Sequence, residues 1–183
     1  MLQENLLKIY ETSFRENREM SALTDYFKGE TFSYYEMAKE IAKLHLLFKK
    51  AGIKQGDKIA LIGRNNPRWC ITYIATITYG AVIVPILQDF TPADIIHIIN
   101  HSESKLLFLG DNFWDVIEED QIRQIEAVCM NISSLHPTDF HQKVYHSPRR
   151  LSTVAAAGLS FFRPFSGAGA FALGLLRDEL NGK

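Results

Sequence analysis

Two histidines four residues apart, His97 and His101 in ADIIHIINHSE, are the first residues whose spacing could do chemistry. On a helix that separation puts both imidazoles on one face, where they could share a transition-metal ion. Only Glu103 follows closely as a third ligand, so exposed histidines are the expectation, with His101 favoured by the negative end of its helix. His136, His141 and His146 recur every five residues, which suits neither a helix nor a strand as a ligand cluster, and they read as loop residues. Asp111, Asp115, Glu118, Glu119 and Asp120 form an acidic run that could bind Mg²⁺ or serve acid–base work. They fall at a helix start, where the dipole favours negative charge, and a solvated face is expected. Arg64, in IGRNNPRW, follows an apolar run at the kind of loop where ligands of open α/β sheets gather. A surface or interdomain ion pair is expected of it before a substrate contact. Cys70 and Cys129 are far apart, without metal or redox spacing, and read as buried thiols in a reducing compartment. No catalytic, cofactor-binding or metal-binding residue is assigned on this basis.

The elements that carry these residues are legible from their periodicity. Leu2, Leu6, Ile9 and Tyr10 suggest an amphipathic helix over Leu2–Arg15. ALTDYF, a turn at Lys28-Gly29, and ETFSY read as a hairpin. Ser33 with Glu36 is a capping box, and Met37, Ile41, Leu44 and Phe48 then share one helical face, with Gly52 as the stop. KIALIG is a run suited to a strand buried on both faces. Asn66-Pro67 opens a helix with Trp69, Tyr73 and Ile77 spaced as core rather than as a base-stacking platform, and Gly80 ends it. AVIVPI reads as a second buried strand. Thr91-Pro92 with Asp94 then caps a helix whose Ile95, Ile96, Ile98 and Ile99 face the core, closing at Asn100 and His101. KLLFLG is a third strand, and Asp111 caps a last amphipathic piece using Trp114, Ile117, Ile122, Ile125 and Val128. Strand, helix and strand in that order, with short connections, predict right-handed βαβ crossovers in a parallel sheet.

Charge and composition bound the remaining choices. A formal net charge of −1 gives no sign of the basic surface that nucleic-acid binding needs. MLQENLLKIYETSFRENRE carries Glu4 at once and is charged throughout, unlike a secretory leader. No uninterrupted apolar run reaches the roughly 20 residues that span a bilayer, so a cytoplasmic, soluble protein without a transmembrane segment is expected. The character shifts near residue 131. Residues 1–130 hold 14 Lys and Arg against 18 Asp and Glu, while 131–183 hold 6 against 3. The tail is rich in Ala, Gly, Ser and Phe, and Phe161, Phe162, Phe165 and Phe171 lack the period of a membrane-surface helix. Two regions are therefore expected, 1–130 as an α/β unit and 131–183 as a divergent, irregular tail.

GDKIALIGRNNPRW and YGAVIVPILQDFTPADIIHIINHSESKLLFLG resemble the N-terminal part of adenylate-forming (AMP-binding) acyl-CoA synthetases, as does TFSYYEMAKEIAKLHLLFKKAGIKQGD upstream. The resemblance covers roughly residues 4–128, and LQDF after Pro85 is more like the long-chain fatty-acid ligases than the acetate-type ones. It implies a two-step reaction: a carboxylic acid and ATP give an acyl-adenylate, and coenzyme A then takes the acyl group as a thioester. ATP, Mg²⁺, CoA and a fatty acid are implied for the full-length family enzyme. The family's Thr-Ser-Gly-Thr-Thr-Gly phosphate loop followed by Lys-Gly occurs nowhere in the sequence, and FSGAGAFALG at 165–174 carries no Lys or Thr in its place. No catalytic or ATP-binding residue is carried over. The expectation is an N-terminal fragment of a long-chain fatty-acid–CoA ligase, inactive alone and prone to self-association through exposed apolar faces. The alternative is a non-catalytic α/β interaction module built on the same scaffold. A dinucleotide-binding or P-loop domain is disfavoured because no GxGxxG or Walker-type loop follows a predicted strand.

Overall fold

The structure, a computed structural model, describes residues 5–110, with 113, 121–122, 125, 127–130 and 144–145. The acidic run, the tail histidines and the tail phenylalanines lie outside the described residues. Among the described residues no helix is long and apolar enough to cross a membrane.

Helix α1 (Leu6–Glu16) starts where the Asn5 side chain accepts from the Leu7 N–H. Its buried residue is Phe14, whereas Leu6 and Ile9 from the expected apolar face are exposed. Strands β1 (Ser21–Thr24) and β2 (Thr31–Ser33) form the antiparallel hairpin. The Asp25 carboxylate accepts from the Phe27 and Lys28 N–H groups across its turn, which removes Tyr26 and Phe27 from the predicted strand. Helix α2 (Tyr34–Lys50) has the full Ser33–Glu36 capping box, and it buries Met37, Ile41, Leu44 and Phe48 as predicted.

Strand β3 (Lys58–Ile62) is central, with β4 (Val82–Ile86) and β5 (Leu106–Leu109) parallel on either side. Lys58 is opposite Val82 and Ile59 opposite Leu106, so the expected strand array is present. Strand β6 (Ala127–Met130) extends it in parallel beside β5, and β7 (Val144–Tyr145) closes it in antiparallel beside β6. Val128, expected in an amphipathic helical piece, thus lies in a strand. Two residues of the expected irregular tail pair with it.

Helix α3 (Pro67–Tyr79) joins β3 to β4, and α4 (Pro92–Ser102) joins β4 to β5. The two crossovers run in opposite directions along the sheet, so right-handed connections place their helices on opposite faces. Side-chain packing follows. Ile59, Leu61, Leu106 and Phe108 meet α2 and α3 in one core, while Ala60, Ile62, Leu107 and Leu109 meet α4 in the other. Each fully buried isoleucine or leucine contributes about 1.5–3 kcal/mol.

Two expectations are corrected by this order. Strand β4 is an edge strand, not a buried one: Val82 is exposed and only Ile86 is fully covered. Val82 donates to the Asp57 carbonyl, which points Val82, Val84 and Ile86 at β3 and Pro85 outward. A proline lacking its N–H there blunts the free edge. In α3, Trp69, Tyr73 and Ile77 are only half-buried. The buried residues of α3 include Ile71, Thr72, Ala75, Thr76 and Thr78, shared between the sheet and α2. Burial of the threonines is tolerated because their hydroxyls donate to the carbonyls of Arg68, Thr72 and Ile74 one turn back. Helix α4 also runs one residue past His101, to Ser102, and ends on Glu103 at φ 56°.

His45 of α2 is sealed in the α2–α3 interface with 6% of its surface exposed. Its Nε2 is 3.0 Å from the Ala75 carbonyl oxygen and 3.1 Å from Thr78 Oγ1. A carbonyl only accepts, so Nε2 carries the proton and the ring is neutral, with Nδ1 buried and unpartnered. Burial lowers its pKa from 6.5 to about 4, against the opposing pull of the Ala75 carbonyl. The unfolded chain therefore holds more protons between those two values, and stability falls as pH drops from about 6.5 to about 4. The expected loss over that window is on the order of 3 kcal/mol. Urea midpoints measured across it should decline with acidification, and His45→Leu should flatten that part of the slope. An unchanged slope in the variant would assign the acid sensitivity to other groups.

Candidate functional site

The reversal of crossover direction puts a topological switch point at the carboxyl ends of β3 and β5, and in open α/β sheets ligands bind in the crevice outside such a point. Its floor is built from two glycines. The Gly110 N–H donates to the Ile62 carbonyl at 2.8 Å, and a Cβ on Gly110 would sit 3.1 Å from Gly63 Cα. Both predicted strands end in glycine, KIALIG and KLLFLG, and that shared ending was the available signal for this contact. Arg64 and Asn65 follow β3 and are exposed at this end. Asn66 turns the chain into α3, its side chain accepting from the Trp69 N–H at 2.9 Å.

Arg64 makes no ion pair among the described residues. The ion pair expected of it falls instead to Arg68, whose guanidinium reaches Glu30 at 3.1 Å and Glu40 at 3.9 Å and lies 5.3 Å from the Phe32 ring centroid. Arg68 thereby ties the hairpin, α2 and α3 together. His97 and His101 are both exposed on α4, with ring centroids 5.7 Å apart. Glu103 instead approaches Lys58 at 3.8 Å. Trp69 and Tyr73 stack on each other at 5.6 Å and pack against the α2–α3 core. Cys70 is a half-buried free thiol, and burial raises its pKa, which keeps it protonated and a weak nucleophile. Cys129 lies in β6.

Apart from Cys70 in the first turn of α3, the groups with perturbed ionisation among the described residues lie at the amino ends of the strands or in the α2–α3 interface. Asp57 precedes β3 and Lys105 precedes β5, and they pair at 2.8 Å at the amino ends of the strands. Burial opposes the Asp57 charge, but the Lys105 ammonium and the Lys54 N–H outweigh it and hold the carboxyl below its ordinary range. The Tyr79 hydroxyl donates to the Ile53 carbonyl, and burial, reinforced by the Asp57 charge, raises its pKa. His45 was not singled out by its sequence context. It could have been, since it lies beside Leu44 on the apolar stripe of α2. Among the described residues no group of three or more His, Cys, Asp or Glu side chains is placed to hold a metal ion. This end of the sheet thus carries the exposed Arg64, without a metal constellation among the described residues.

The architecture is a three-layer α/β unit with a switch in strand order. The profile of the AMP-binding enzyme family matches residues 10–157, and the chain belongs to that family. The chain is 29% identical over 108 residues to the fatty acid–[acyl-carrier-protein] ligase ScoC of Streptomyces coeruleorubidus, covering 59% of this chain and 21% of that protein. It is 37% identical over 86 residues to the crotonobetaine/carnitine–CoA ligase of Proteus mirabilis, covering 47% and 17%. The N-terminal domain of FACL13 from Mycobacterium tuberculosis superposes with a TM-score of 0.67 at 17% identity, over 86% of this chain and 40% of that one. The chain therefore spans about a fifth of the length of these curated relatives.

The glycine contact yields a direct test. Gly110→Ala must push against the β3 backbone, which cannot retreat without stretching the Ile62–Gly110 hydrogen bond. A loss of about 1–3 kcal/mol in urea denaturation is expected. An unchanged midpoint would show that the strand ends yield freely.

Proposed function

We propose that this chain is the N-terminal framework of an ATP-dependent acid–thiol ligase for long-chain fatty acids, and that alone it does not form acyl-adenylate. The observation that carries the reading is the family match over residues 10–157, laid on a sheet whose ligand-facing end offers Arg64 and two glycines. In such a ligase the carboxylate must be brought in line with the α-phosphate while phosphate charge is neutralised. The described residues do not meet that demand, because one exposed arginine faces the crevice and no carboxylate cluster able to hold Mg²⁺ is formed among them. The phosphate loop is absent from the sequence. ATP, Mg²⁺, CoA and the acid are accordingly assigned to the complete enzyme and not to these residues. What this segment supplies is a rigid sheet edge on which the rest of a ligase can build.

The long-chain part of the proposal rests on Leu87-Gln88-Asp89-Phe90 after β4. A cytoplasmic location is part of the same reading. Self-association is part of it too, because Val82, Leu87 and Phe90 expose apolar surface on and after the edge strand.

Palmitate-dependent ATP–pyrophosphate exchange on the purified chain tests inactivity, with no signal above a protein-free blank expected. Turnover above the blank would overturn it. Grafting the matched segment into the Streptomyces relative tests the framework role, with a chimera retaining palmitate activation over acetate expected. A folded but inactive chimera would count against that role, and a preference for acetate against the long-chain reading. Sedimentation velocity is expected to show concentration-dependent association, and a monomer throughout would remove that element.

A further inference from the structure

We propose that His97 and His101 form a two-point chelate for a borderline divalent transition metal, of the nickel, copper or zinc kind, on the exposed face of α4. The site is independent of the ligase reading, since it lies on a helix flank and uses neither crevice residue.

The helix fixes both side-chain origins. Its start is held by Pro92 and by the Thr91–Asp94 cap, in which Asp94 N–H donates to Thr91 Oγ1. Ile95, Ile96 and Ile99 are buried beneath it. Residues four apart on such a helix are surface neighbours. The two rings are already close, with centroids 5.7 Å apart and planes inclined by 12°. With metal–nitrogen bonds of about 2.0–2.1 Å, two imidazoles on a tetrahedral ion have centroids roughly 5.3 Å apart. Closing from 5.7 Å therefore takes about 0.4 Å. The near-parallel planes must also open so that both nitrogen lone pairs aim at one point. For histidine that is a turn about χ2, a broad torsion. No backbone movement is required.

Charge favours the same location. His101 is in the last turn of α4, where the partial negative charge of the helix end attracts a cation. The nearest carboxylate along the face, Asp94, is engaged with Thr91 Oγ1 at 2.6 Å. With two imidazole donors the remaining coordination positions are left to water, which makes the site open and exchangeable rather than structural. Imidazole donors suit nickel, copper and zinc and not the hard ions magnesium and calcium.

The test uses the full chain, stripped with a chelator and kept reduced, titrated calorimetrically with NiCl₂, ZnCl₂ and MgCl₂. Wild type should bind one equivalent of nickel or zinc at this site and no magnesium. His97→Asn and His101→Asn should each weaken it at least tenfold while leaving the far-ultraviolet circular dichroism unchanged. The paired substitution His101→Asn with Ser102→His keeps the number of histidines but moves one off the face, and should weaken binding equally. The triple substitution His136→Asn, His141→Asn and His146→Asn should leave the site intact. Binding retained in either single variant or in the paired one, or lost in the triple, would overturn the proposal.

Discussion

Strand β3 is buried on both faces, and the rest of the fold follows from covering it. Ile59, Ala60, Leu61 and Ile62 expose no surface, so apolar layers must lie above and below and strands on both sides. One face is filled by α2 and α3 and the other by α4. Since both crossovers are right-handed, the chain meets this requirement only by reversing direction after β4. The crevice is a by-product of that reversal, not a separate device. It exists because the loop after β3 leaves toward one layer while the chain crosses back over the other.

Burial on this scale forces a settlement for every polar group caught inside it. The threonines of α3 solve the problem locally by donating to their own helix, so they pack as small apolar residues would. His45 is satisfied on one nitrogen only, and its ring is held neutral because Nδ1 has no acceptor to meet if it were protonated. Ser104 is fully buried yet bonded to Ser102 at 2.7 Å. Arg68 keeps its charge beside two glutamates and an aromatic face at the rim of the core, with Nε and Nη1 buried and without a hydrogen-bond partner among the described residues. The interface between α2 and α3 is thus held by packing with one titratable group inside it.

The reading of the sequence succeeded where a local signal coincided with tertiary demand. Caps at Ser33, Asn66 and Thr91, stops at Gly52 and Gly80, and the unbroken apolar runs of β3 and β5 all encode their structure within a few residues. It failed where the answer depends on neighbours distant in the chain. AVIVPI is as apolar as KIALIG, yet β4 lies at the edge, and only Pro85 hinted at it. In α3 the aromatic residues draw the eye, but the strands beneath leave room for Ile71, Ala75 and the threonines, and push Trp69 and Tyr73 to the flank. Arg64 and Arg68 are chemically identical in sequence. Which one finds a carboxylate is decided by where α2 and the hairpin dock.

The two ends of the sheet divide rigidity from access. At the amino ends, Asp57–Lys105 links the starts of the neighbouring strands β3 and β5, Lys58–Glu103 links β3 to the end of α4, and the depressed Asp57 carboxyl keeps the first pair charged. Surface ion pairs of this kind contribute little each, but they sit where no ligand is expected and so restrain the strands without obstructing a site. At the carboxyl ends, glycines replace side chains at the β3–β5 contact, and exposed polar residues follow β3. A segment evolved to perform chemistry would concentrate its perturbed acids and bases at that second end. Among the described residues Asp57 and Tyr79 lie at the first end and His45 in the α2–α3 interface, while Cys70 in the first turn of α3 is held as a neutral thiol. Among the described residues, the shifted groups thus bear on the stability of the scaffold.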